Sequence, residues 1–581
     1  MSRLTETARQ QLRQAILDAA GNAVAAGTLP EAPSAVFHIE VPANRANGDY
    51  SANAAMIWAK PFRMPPRAVA QALAEHLCLD GSFFDRCEVA GPGFMNFYLS
   101  DTYYAAVVRD VVALGDGYGR SDFGKGQRVN VEFVSANPTG PMHMGNARGA
   151  ALGDCLAAVL DAAGYAVHRE FYVNDAGNQI DKFGLSLDIR YRQHFLGEDA
   201  VALPEDSYHG DDIVQRAAEF AQLHGDRYLN APEEERRGAL TAYALPKNLE
   251  AMRANLHKYR IEYDTWFHES TLYANGELEQ TLAMMKDRGL TYEKDGALWY
   301  KNSEVLAEKL RAEGKTAEEI EKLELKDEVL IRTNGNPTYF AADIAYHRNK
   351  LNIRGFDRAI DIWGADHHGH VARIKGALDA IGEDGSRLDI ILMQLVRLTR
   401  DGEVVRMSKR TGKAITLADL LEEIPIDAVR FWFNLREPSS QMEFDLDLAV
   451  EHSAKNPVYY CQYAHARICS ILKKLADEGH APRDCTDEEL LCLTAPEERE
   501  LIRHLSALTD ELVAAATNYD PARVTRYVID LAGLFHKFYN ACRVYGEQEG
   551  LMQARLCLCG CVKTVIRNVL TMFKIAVPDS M

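Results

Sequence analysis

The sequence lacks the features that mark membrane-spanning and secreted proteins. Its 581 residues contain no apolar run of the roughly 18–20 residues that a membrane helix needs. The opening MSRLTETARQQLRQAILDAA is polar and amphipathic, which predicts no signal peptide. The 11 cysteines show no spacing of a zinc site or disulfide framework, and Cys557, Cys559 and Cys561 lie in an apolar stretch that indicates buried thiols. We therefore expect a cytoplasmic protein that makes no membrane contact.

Positive charge is also scarce over most of the chain. The net charge of −19 argues against general coating of nucleic acid. Residues 521–581 are different, because they hold 8 Lys and Arg against 4 Asp and Glu. Charge alone leaves two interpretations of this region open, a local nucleic-acid surface and a solvated helix face.

The length is too great for a single core and predicts several domains. Residues 1–112 mix short strand-like and helical pieces, which indicates a small α+β module. Strands alternate with helices over residues 113–425, which predicts a parallel sheet covered by helices, with a largely helical insertion at about 185–325. Residues 426–581 are patterned as an all-α domain. The predicted fold class is therefore multidomain α/β.

Residues 131–150, VEFVSANPTGPMHMGNARGA, predict a buried strand, a turn rich in Pro and Gly, and a helix. We expect the helix N-terminus to direct unpaired N–H groups and a partial positive charge at a bound phosphate. His143 and Asn146 add side-chain donors there, and Gly145 allows a ligand to approach the backbone. The pattern favours nucleotide binding.

The stretch WGADHHGH, residues 363–370, follows an apolar strand. Ligands of open α/β sheets bind at the carboxyl ends of the strands, so Gly364 and Asp366 suit a ribose or an adenine. A metal site is the alternative, because Asp366, His367, His368 and His370 are all ligand types.

Two further patterns are ambiguous when each is taken alone. The basic loop VVRMSKRTG, residues 404–412, could neutralise phosphates through Lys409 or could be a solvated surface. Tyr339 and Asp343 are four residues apart, so in a helix they would share a face that could hold a cation, or Tyr339 could pack in the core.

The order of these motifs resembles the class I aminoacyl-tRNA synthetases, whose two signatures are written HIGH and KMSK. More narrowly, EFVSANPTGPMHMGNARGAALGD, NDAGNQ, GADHHGH, MSKRTG and DAVRFWFNLREPSSQMEFDLDLA are similar to segments of bacterial-type arginyl-tRNA synthetases. GDYSANAAM and VAGPGFMNFYL in the first module are similar too, so the resemblance covers essentially the whole chain.

The resemblance implies a Rossmann-type catalytic domain, an N-terminal module that touches the tRNA elbow, and a C-terminal anticodon-binding domain. It implies ATP-dependent attachment of L-arginine to tRNA(Arg) through an arginyl-adenylate, with Mg²⁺ bound to ATP, by a monomeric protein. Anticodon bases would meet aromatic and amide side chains of the helical domain, for which the candidates are Tyr459, Tyr460, Gln462 and Tyr463.

The resemblance also assigns residues. HIGH falls on His143, Met144, Gly145 and Asn146, and KMSK on Arg406, Met407, Ser408 and Lys409. Some relatives lack the second KMSK lysine and place one ahead of HIGH, but that position is Gly140 here, which leaves the role to Lys409. The implied catalytic residues are His143, Asn146 and Lys409, and the implied ATP-binding residues are His143, Gly145, Asn146, Gly364, Asp366, His367, Met407, Ser408 and Lys409.

The implied arginine-binding residues are Glu132, Ser135, Asn137, Tyr339 and Asp343. Two carboxylates suit a planar, permanently charged guanidinium, so we expect Glu132 and Asp343 to bind it directly. No protein metal ligand is expected.

Other functions remain alternatives at this point. A class I synthetase for cysteine would need zinc-ligand cysteines, and only Cys155 is near. One for a hydrophobic amino acid would leave Glu132 and Asp343 unpaired in an apolar pocket. A non-catalytic tRNA-binding paralogue would be favoured by loss of His143 or Lys409, and both are present. A nucleotidyltransferase with HxGH would be shorter.

Overall fold

The computed structural model describes residues 3–30, 36–405 and 415–581. A search of these residues finds no helix with the length and apolar character needed to span a membrane.

The N-terminal region is an antiparallel sheet packed against helices. Helix α1 buries Leu12, Ile16 and Ala19, whose spacing of three or four residues places them on one face. At Gly93, between β3 and β4, a Cβ atom would lie 2.8 Å from the backbone of Pro66, so the turn needs glycine. The sheet order is β1-β2-β4-β3. The elements are α1 (Arg3–Ala25), β1 (Ile39–Glu40), β2 (Tyr50–Ala52), α2 (Ala54–Phe62), α3 (Pro66–Glu75), β3 (Phe84–Ala90), β4 (Phe94–Leu99) and α4 (Asp101–Leu114).

The central sheet consists of five strands, all paired in parallel, in the order β12-β11-β5-β6-β7. The chain builds outward from β5 in one direction through β6 and β7, and in the other through β11 and β12. The two halves diverge between β5 and β11, which is the switch point where open α/β sheets bind ligands. The strands are β5 (Arg128–Glu132), β6 (Ala166–Val173), β7 (Thr265–His268), β11 (Arg358–Gly364) and β12 (Leu388–Met393), and the helices packed around them include α5 (Met144–Ala162), α13 (Tyr339–Arg348) and α14 (His368–Ala380).

The region expected to be a helical insertion is only partly helical. It begins with a helical bundle, α6 (Asn178–Leu196), α7 (Asp211–His224) and α8 (Glu233–Lys258), but Thr265–His268 then joins the central sheet as β7. This strand is too short for its periodicity to stand out from the polar sequence around it.

A small antiparallel sheet follows, in the order β10-β9-β8. Residues 328–331, expected in the parallel sheet, pair instead with β9. Asp295 and Gly296, both at positive φ, form the turn between β8 and β9, and Asp-Gly is a strong local signal for a hairpin. The elements are α9 (Ser270–Ala274), α10 (Glu277–Asp287), β8 (Thr291–Lys294), β9 (Ala297–Tyr300), α11 (Asn302–Ala312), α12 (Ala317–Glu321) and β10 (Glu328–Ile331).

The rest of the described chain is helical apart from a fourth sheet, in the order β14-β13-β15. Its strand β15 lies beyond residue 426, where only helices were expected. The elements are β13 (Val396–Arg400), β14 (Glu403–Val405), α15 (Leu417–Glu423), α16 (Ile426–Phe433), β15 (Met442–Asp445), α17 (Leu446–Val450), α18 (Pro457–Asp477), α19 (Asp487–Leu490), α20 (Pro496–Ser506), α21 (Leu508–Asn518), α22 (Ala522–Ala541) and α23 (Glu549–Met572).

Arg430 on α16 joins three distant parts of the chain. Its fully buried guanidinium donates to Asp154 Oδ2 on α5 at 2.5 Å, to the carbonyl of Tyr259 at 3.0 Å and to the carbonyl of Phe573 at 2.8 Å. Burial by itself would raise the pKa of Asp154, but Arg430 and Lys574 outweigh it and hold that pKa below its ordinary value. The charged pair therefore fastens the helices after residue 426 to the central sheet.

Replacing Arg430 with Met should lower the free energy of unfolding by about 3–5 kcal/mol, because it leaves a buried carboxylate and two carbonyls short of a donor. Urea denaturation followed by circular dichroism measures the change. The matched control is Arg86→Met, which removes a pair with Glu88 whose side chains are more than half exposed, at a cost below about 1 kcal/mol. Equal shifts for the two variants would contradict the assignment.

Candidate active site

A cavity of about 940 Å³ opens at the carboxyl ends of β5 and β11. Glu132 ends β5 and Gly364 ends β11, so the cavity lies at the switch point of the sheet. The sequence-predicted residues that line it are Glu132, Ser135, Asn137, Tyr339 and Asp343, together with His143, Asn146, Gly364, Asp366 and His367.

A second cavity, of about 770 Å³, meets the first at His143, which lines both. Gly145 lines only the second, whose other walls come from β13, β14 and β15. The predicted residues Arg406, Met407, Ser408 and Lys409 lie outside the described residues. Val405 and Ile415, on either side of the segment that contains them, both line the second cavity.

The start of α5 is capped by the side chains of the motif itself. Gly145 N–H donates to His143 Nδ1 at 3.1 Å, His143 N–H donates to Asn146 Oδ1 at 3.0 Å, and Met144 N–H donates to the carbonyl of Ile415 at 3.2 Å. The expectation of unpaired backbone N–H groups was therefore wrong, because the motif satisfies them locally.

This capping fixes the proton position on His143. Partial burial lowers the pKa of His143, so the ring is neutral at physiological pH. Its Nδ1 accepts a hydrogen bond, so the proton resides on Nε2. The donors left for a ligand at this helix end are His143 Nε2–H and the amide nitrogen of Asn146.

Glu132 is not the free carboxylate that the sequence suggested. The buried Lys350 ammonium donates to Glu132 Oε2 at 2.5 Å and to Asp361 Oδ1 at 2.8 Å, and the Ser135 hydroxyl donates to Glu132 Oε1 at 2.8 Å. Burial opposes the charge on Lys350, but Asp361 and Glu132 outweigh it and hold the pKa of Lys350 above its ordinary value. Burial raises the pKa of Glu132 above its ordinary value, and Lys350 offsets the charge that remains, so Glu132 brings no free negative charge to the cavity.

His347 completes a neutral cluster. Its Nε2 lies 2.7 Å from Asp361 Oδ2 and its Nδ1 lies 2.7 Å from the carbonyl of Asp343, and both of these oxygens accept. Although burial disfavours the charge, Asp361 raises the pKa of His347, so both ring nitrogens donate and the ring is cationic. Two carboxylates and two cations cancel within the buried cluster of Glu132, Lys350, Asp361 and His347.

Outside this neutral cluster, the cavity carries the carboxyl groups of Asp343 and of Glu269, which the sequence reasoning missed. Asp343 Oδ2 lies 2.9 Å from His370 Nε2, and its side chain remains 30% exposed. Glu269 directly follows β7, lines the first cavity, is 2% exposed and accepts from the Tyr273 hydroxyl at 3.1 Å. Burial, reinforced by the charge of Asp343, raises the pKa of Glu269 to about 7. Because residues 265–268 were expected to be part of a helical insertion, the end of β7, which positions Glu269, was not recognised from the sequence.

The histidine-rich turn after β11 does not form a metal site in the structure. His370 pairs with Asp343 and packs between Trp363 and Phe340, with ring centroids 5.4 and 5.5 Å away. Within the described ranges, the metal-competent cluster of side chains lies elsewhere, at His465, Cys469 and Asp579.

The four candidate base-contacting residues on α18 separate into two pairs. Tyr459 and Tyr463 stack with their ring centroids 6.2 Å apart, and Tyr463 is 40% exposed. Tyr460 packs on His536, while Gln462 donates to Asp427 and to the carbonyl of Ala576. Tyr459 also stacks on His452, with ring centroids 5.5 Å apart, so the exposed ring of Tyr463 is the part of this pair that is open to stacking.

The chain is similar to known proteins along its whole length. Residues 6–99 match the arginyl tRNA synthetase N-terminal domain, 108–468 the catalytic domain of class I (R) tRNA synthetases, and 461–581 the DALR anticodon binding domain. Curated arginine–tRNA ligases from Acetivibrio thermocellus and Caldanaerobacter subterraneus are each 50% identical over 581 residues, covering 100% of both chains.

Solved structures give the same picture of the fold. A putative arginyl-tRNA synthetase from Campylobacter jejuni has a TM-score of 0.71 at 33% identity, covering 83% of this chain and 100% of the other. The arginyl-tRNA synthetase of Thermus thermophilus has a TM-score of 0.70 at 23% identity, covering 98% and 100%. These neighbours bear out the predicted multidomain α/β fold class.

The raised pKa of Glu269 predicts that this carboxyl group is largely protonated at about pH 6 and ionised at about pH 8. Because an ordinary glutamate titrates near 4.5, the proton stabilises the fold at low pH and this contribution is lost as pH rises through about 7. Infrared difference spectra should show a carboxylic-acid band that disappears over this interval. The band should be missing in Glu269→Gln and unchanged in Glu262→Gln, whose side chain is 69% exposed in the parent. A full band in Glu269→Gln would refute the assignment.

Proposed function

The chain belongs to the class I arginyl-tRNA synthetase family and is an arginine–tRNA ligase, and from that premise we propose how its own residues divide the reaction. The enzyme uses ATP to attach L-arginine to tRNA through an arginyl-adenylate. The assignment of roles rests on the junction of two cavities at His143, one with carboxyl groups outside the neutral cluster and the other bordered by Val405 and Ile415.

Glu269 and Asp343 are the groups proposed to bind the guanidinium of arginine, with the Tyr339 face beside them. A guanidinium is always charged and needs carboxylates with free oxygens. Glu132 is engaged by Lys350 and Ser135, and its cluster is neutral, so it supplies hydrogen-bond acceptors without net charge. We assign Glu132, Ser135 and Asn137 to the α-amino end of arginine, because they lead directly into the turn before His143.

ATP is proposed to extend across the junction at His143. Gly364, Asp366 and His367 would contact the adenosine from the first cavity, and Gly145 lies on the side of the second. The arginine carboxylate oxygen attacks the α-phosphorus, and pyrophosphate leaves with the electrons of the broken P–O bond. His143 and Asn146 donate hydrogen bonds to the phosphates, and Lys409 adds positive charge there, with Met407 and Ser408 beside it. Mg²⁺ enters bound to the ATP phosphates.

The second step transfers arginine from the adenylate to the 2′-hydroxyl of the terminal ribose of tRNA(Arg). The domain division proposed for this step is 1–112 at the tRNA elbow, 113–425 for catalysis and 426–581 at the anticodon. Tyr459 and Tyr463 are proposed to stack on anticodon bases, because every base presents a face to an aromatic ring. We propose that the protein works as a cytoplasmic monomer.

Charging assays with each amino acid in turn, on bulk tRNA with ATP and Mg²⁺, test the function directly. Arginine alone should give charged tRNA, because only its side chain offers the planar cation that Glu269 and Asp343 suit. Charging of another amino acid would overturn the proposed pocket. No charging at all would favour a tRNA-binding paralogue without catalysis.

Asp343→Asn should lower kcat/KM for arginine by roughly 30- to 5000-fold, the equivalent of losing about 2–5 kcal/mol when a charged hydrogen bond to the bound guanidinium is removed. Most of the loss should fall on KM for arginine, and KM for ATP should stay nearly unchanged, because Asp343 is assigned to the amino acid alone. The matched control is Asp287→Asn, an exposed residue at the end of α10. An unchanged KM for arginine would exclude Asp343 from the pocket.

A further inference from the structure

His465, Cys469 and Asp579 form a cluster far from the proposed catalytic residues. His465 and Cys469 are four residues apart on α18 and therefore share a face of that helix. The segment 576–579, which follows α23, lies along this face. Gln462 Nε2 donates to the carbonyl of Ala576 at 2.9 Å, and His465 Nδ1 lies 3.0 Å from the carbonyl oxygen of Pro578.

The atoms of this cluster are spaced as the ligands of one small ion are. Cys469 Sγ lies 3.7 Å from His465 Nδ1 and 3.3 Å from Asp579 Oδ1, and the ligand atoms of all three residues lie within 4.8 Å of one another. Bond lengths of about 2.0–2.3 Å to a tetrahedral Zn²⁺ place its ligand atoms roughly 3.3–3.7 Å apart. The Pro578 carbonyl oxygen lies 3.0 Å from Nδ1 and is available as a fourth donor.

We propose that His465, Cys469 and Asp579, with the Pro578 carbonyl as a fourth donor, bind a divalent ion of the Zn²⁺ class. One imidazole, one thiolate and one carboxylate are ligands that such an ion accepts, and the mixed set excludes Mg²⁺ and Ca²⁺, which take oxygen ligands. The thiolate and the carboxylate together balance the two charges of the ion. Among the residues that the structure describes, this is the one group of metal-ligand side chains so arranged.

Ion binding changes the protonation of Cys469 and His465 without breaking a hydrogen bond at His465 Nε2. Binding removes one proton from the Cys469 thiol, which goes to solvent. The Nδ1 proton of His465 moves to Nε2, so that the Nδ1 lone pair faces the ion. His465 is 2% exposed, and its Nε2 has no hydrogen-bond partner in the described structure, so no existing contact opposes this change.

Binding would fasten segment 576–579 to α18, the helix that carries Tyr459 and Tyr463. Without the ion, this attachment rests on hydrogen bonds from Gln462, His465 and Cys469. An ion that binds only the folded chain stabilises it in proportion to the logarithm of its concentration over Kd. The site is thus assigned a structural role in the helical domain and no part in the aminoacylation chemistry.

Titration of the full-length, chelator-treated protein with Co²⁺ tests the proposal, because tetrahedral Co²⁺ absorbs visible light and a bound thiolate adds a charge-transfer band in the near ultraviolet. We expect both signals to saturate at one equivalent and to vanish when Zn²⁺ displaces Co²⁺. Cys469→Ser should lose the charge-transfer band, and Asp579→Asn should weaken binding at least tenfold. Cys492→Ser, which alters an exposed cysteine outside the cluster, should behave like the parent.

Two outcomes would overturn the proposal. One is the absence of a charge-transfer band at one equivalent of Co²⁺, which would mean that Cys469 only hydrogen-bonds to Asp579. The other is a band that persists in Cys469→Ser, which would place the ion at another cysteine. Both readouts are independent of aminoacylation, so they remain decisive whatever the charging assays show.

Discussion

The buried ammonium of Lys350 is the interaction on which the geometry of the cavity depends. It lies between Glu132 at the end of β5 and Asp361 on β11. These are the two neighbouring strands from which the strand order of the central sheet proceeds in opposite directions. A lysine without partners could not remain charged at such a position, and two carboxylates without a cation would repel each other. The ion cluster therefore joins the two halves of the sheet beside the first cavity.

Neutrality of this cluster decides which groups are left to attract a cation. Because Lys350 and His347 cancel the charges of Glu132 and Asp361, the carboxyl groups left to attract a cation lie outside the cluster, and Asp343 and Glu269 are two of them. These two come from different elements, α13 and the end of β7, and each is held by neighbours of its own, His370 for one and Tyr273 for the other. A pocket of this kind favours a permanently charged guanidinium over neutral side chains, which agrees with membership of the arginyl-tRNA synthetase family.

Long-range ion pairs also join the helical region to the catalytic sheet. Arg430 and Lys574 both form ion pairs with Asp154, which lies on α5, the helix whose N-terminus is capped by His143. The helix at the proposed phosphate site is therefore anchored at one end by its own capping motif and along its length by the helical domain. The contact joins the helical domain to the helix at the proposed phosphate site through a buried ion pair.

Much of the architecture was readable from the sequence because its signals are local. The strand, turn and helix around His143 are contiguous, and the four-residue spacing of Tyr339 and Asp343 became one helical face, since α13 begins at Tyr339. The errors in assigning elements have a common cause. Short strands such as β7, β10 and β15 carry too few residues for their periodicity to assign them to a sheet, so the end of β7, and Glu269 with it, went unrecognised.

The sequence by itself determined the longer elements, which residues begin α5, and which family the chain resembles. Only the tertiary structure decided the electrostatics of the site. Lys350 is 218 residues away from Glu132 in the chain, so no local sequence pattern could indicate that the charge of this carboxylate is offset. The charge state of a buried group depends on how much water folding removes and which partners folding supplies, and both are set by packing between segments that are remote in the chain.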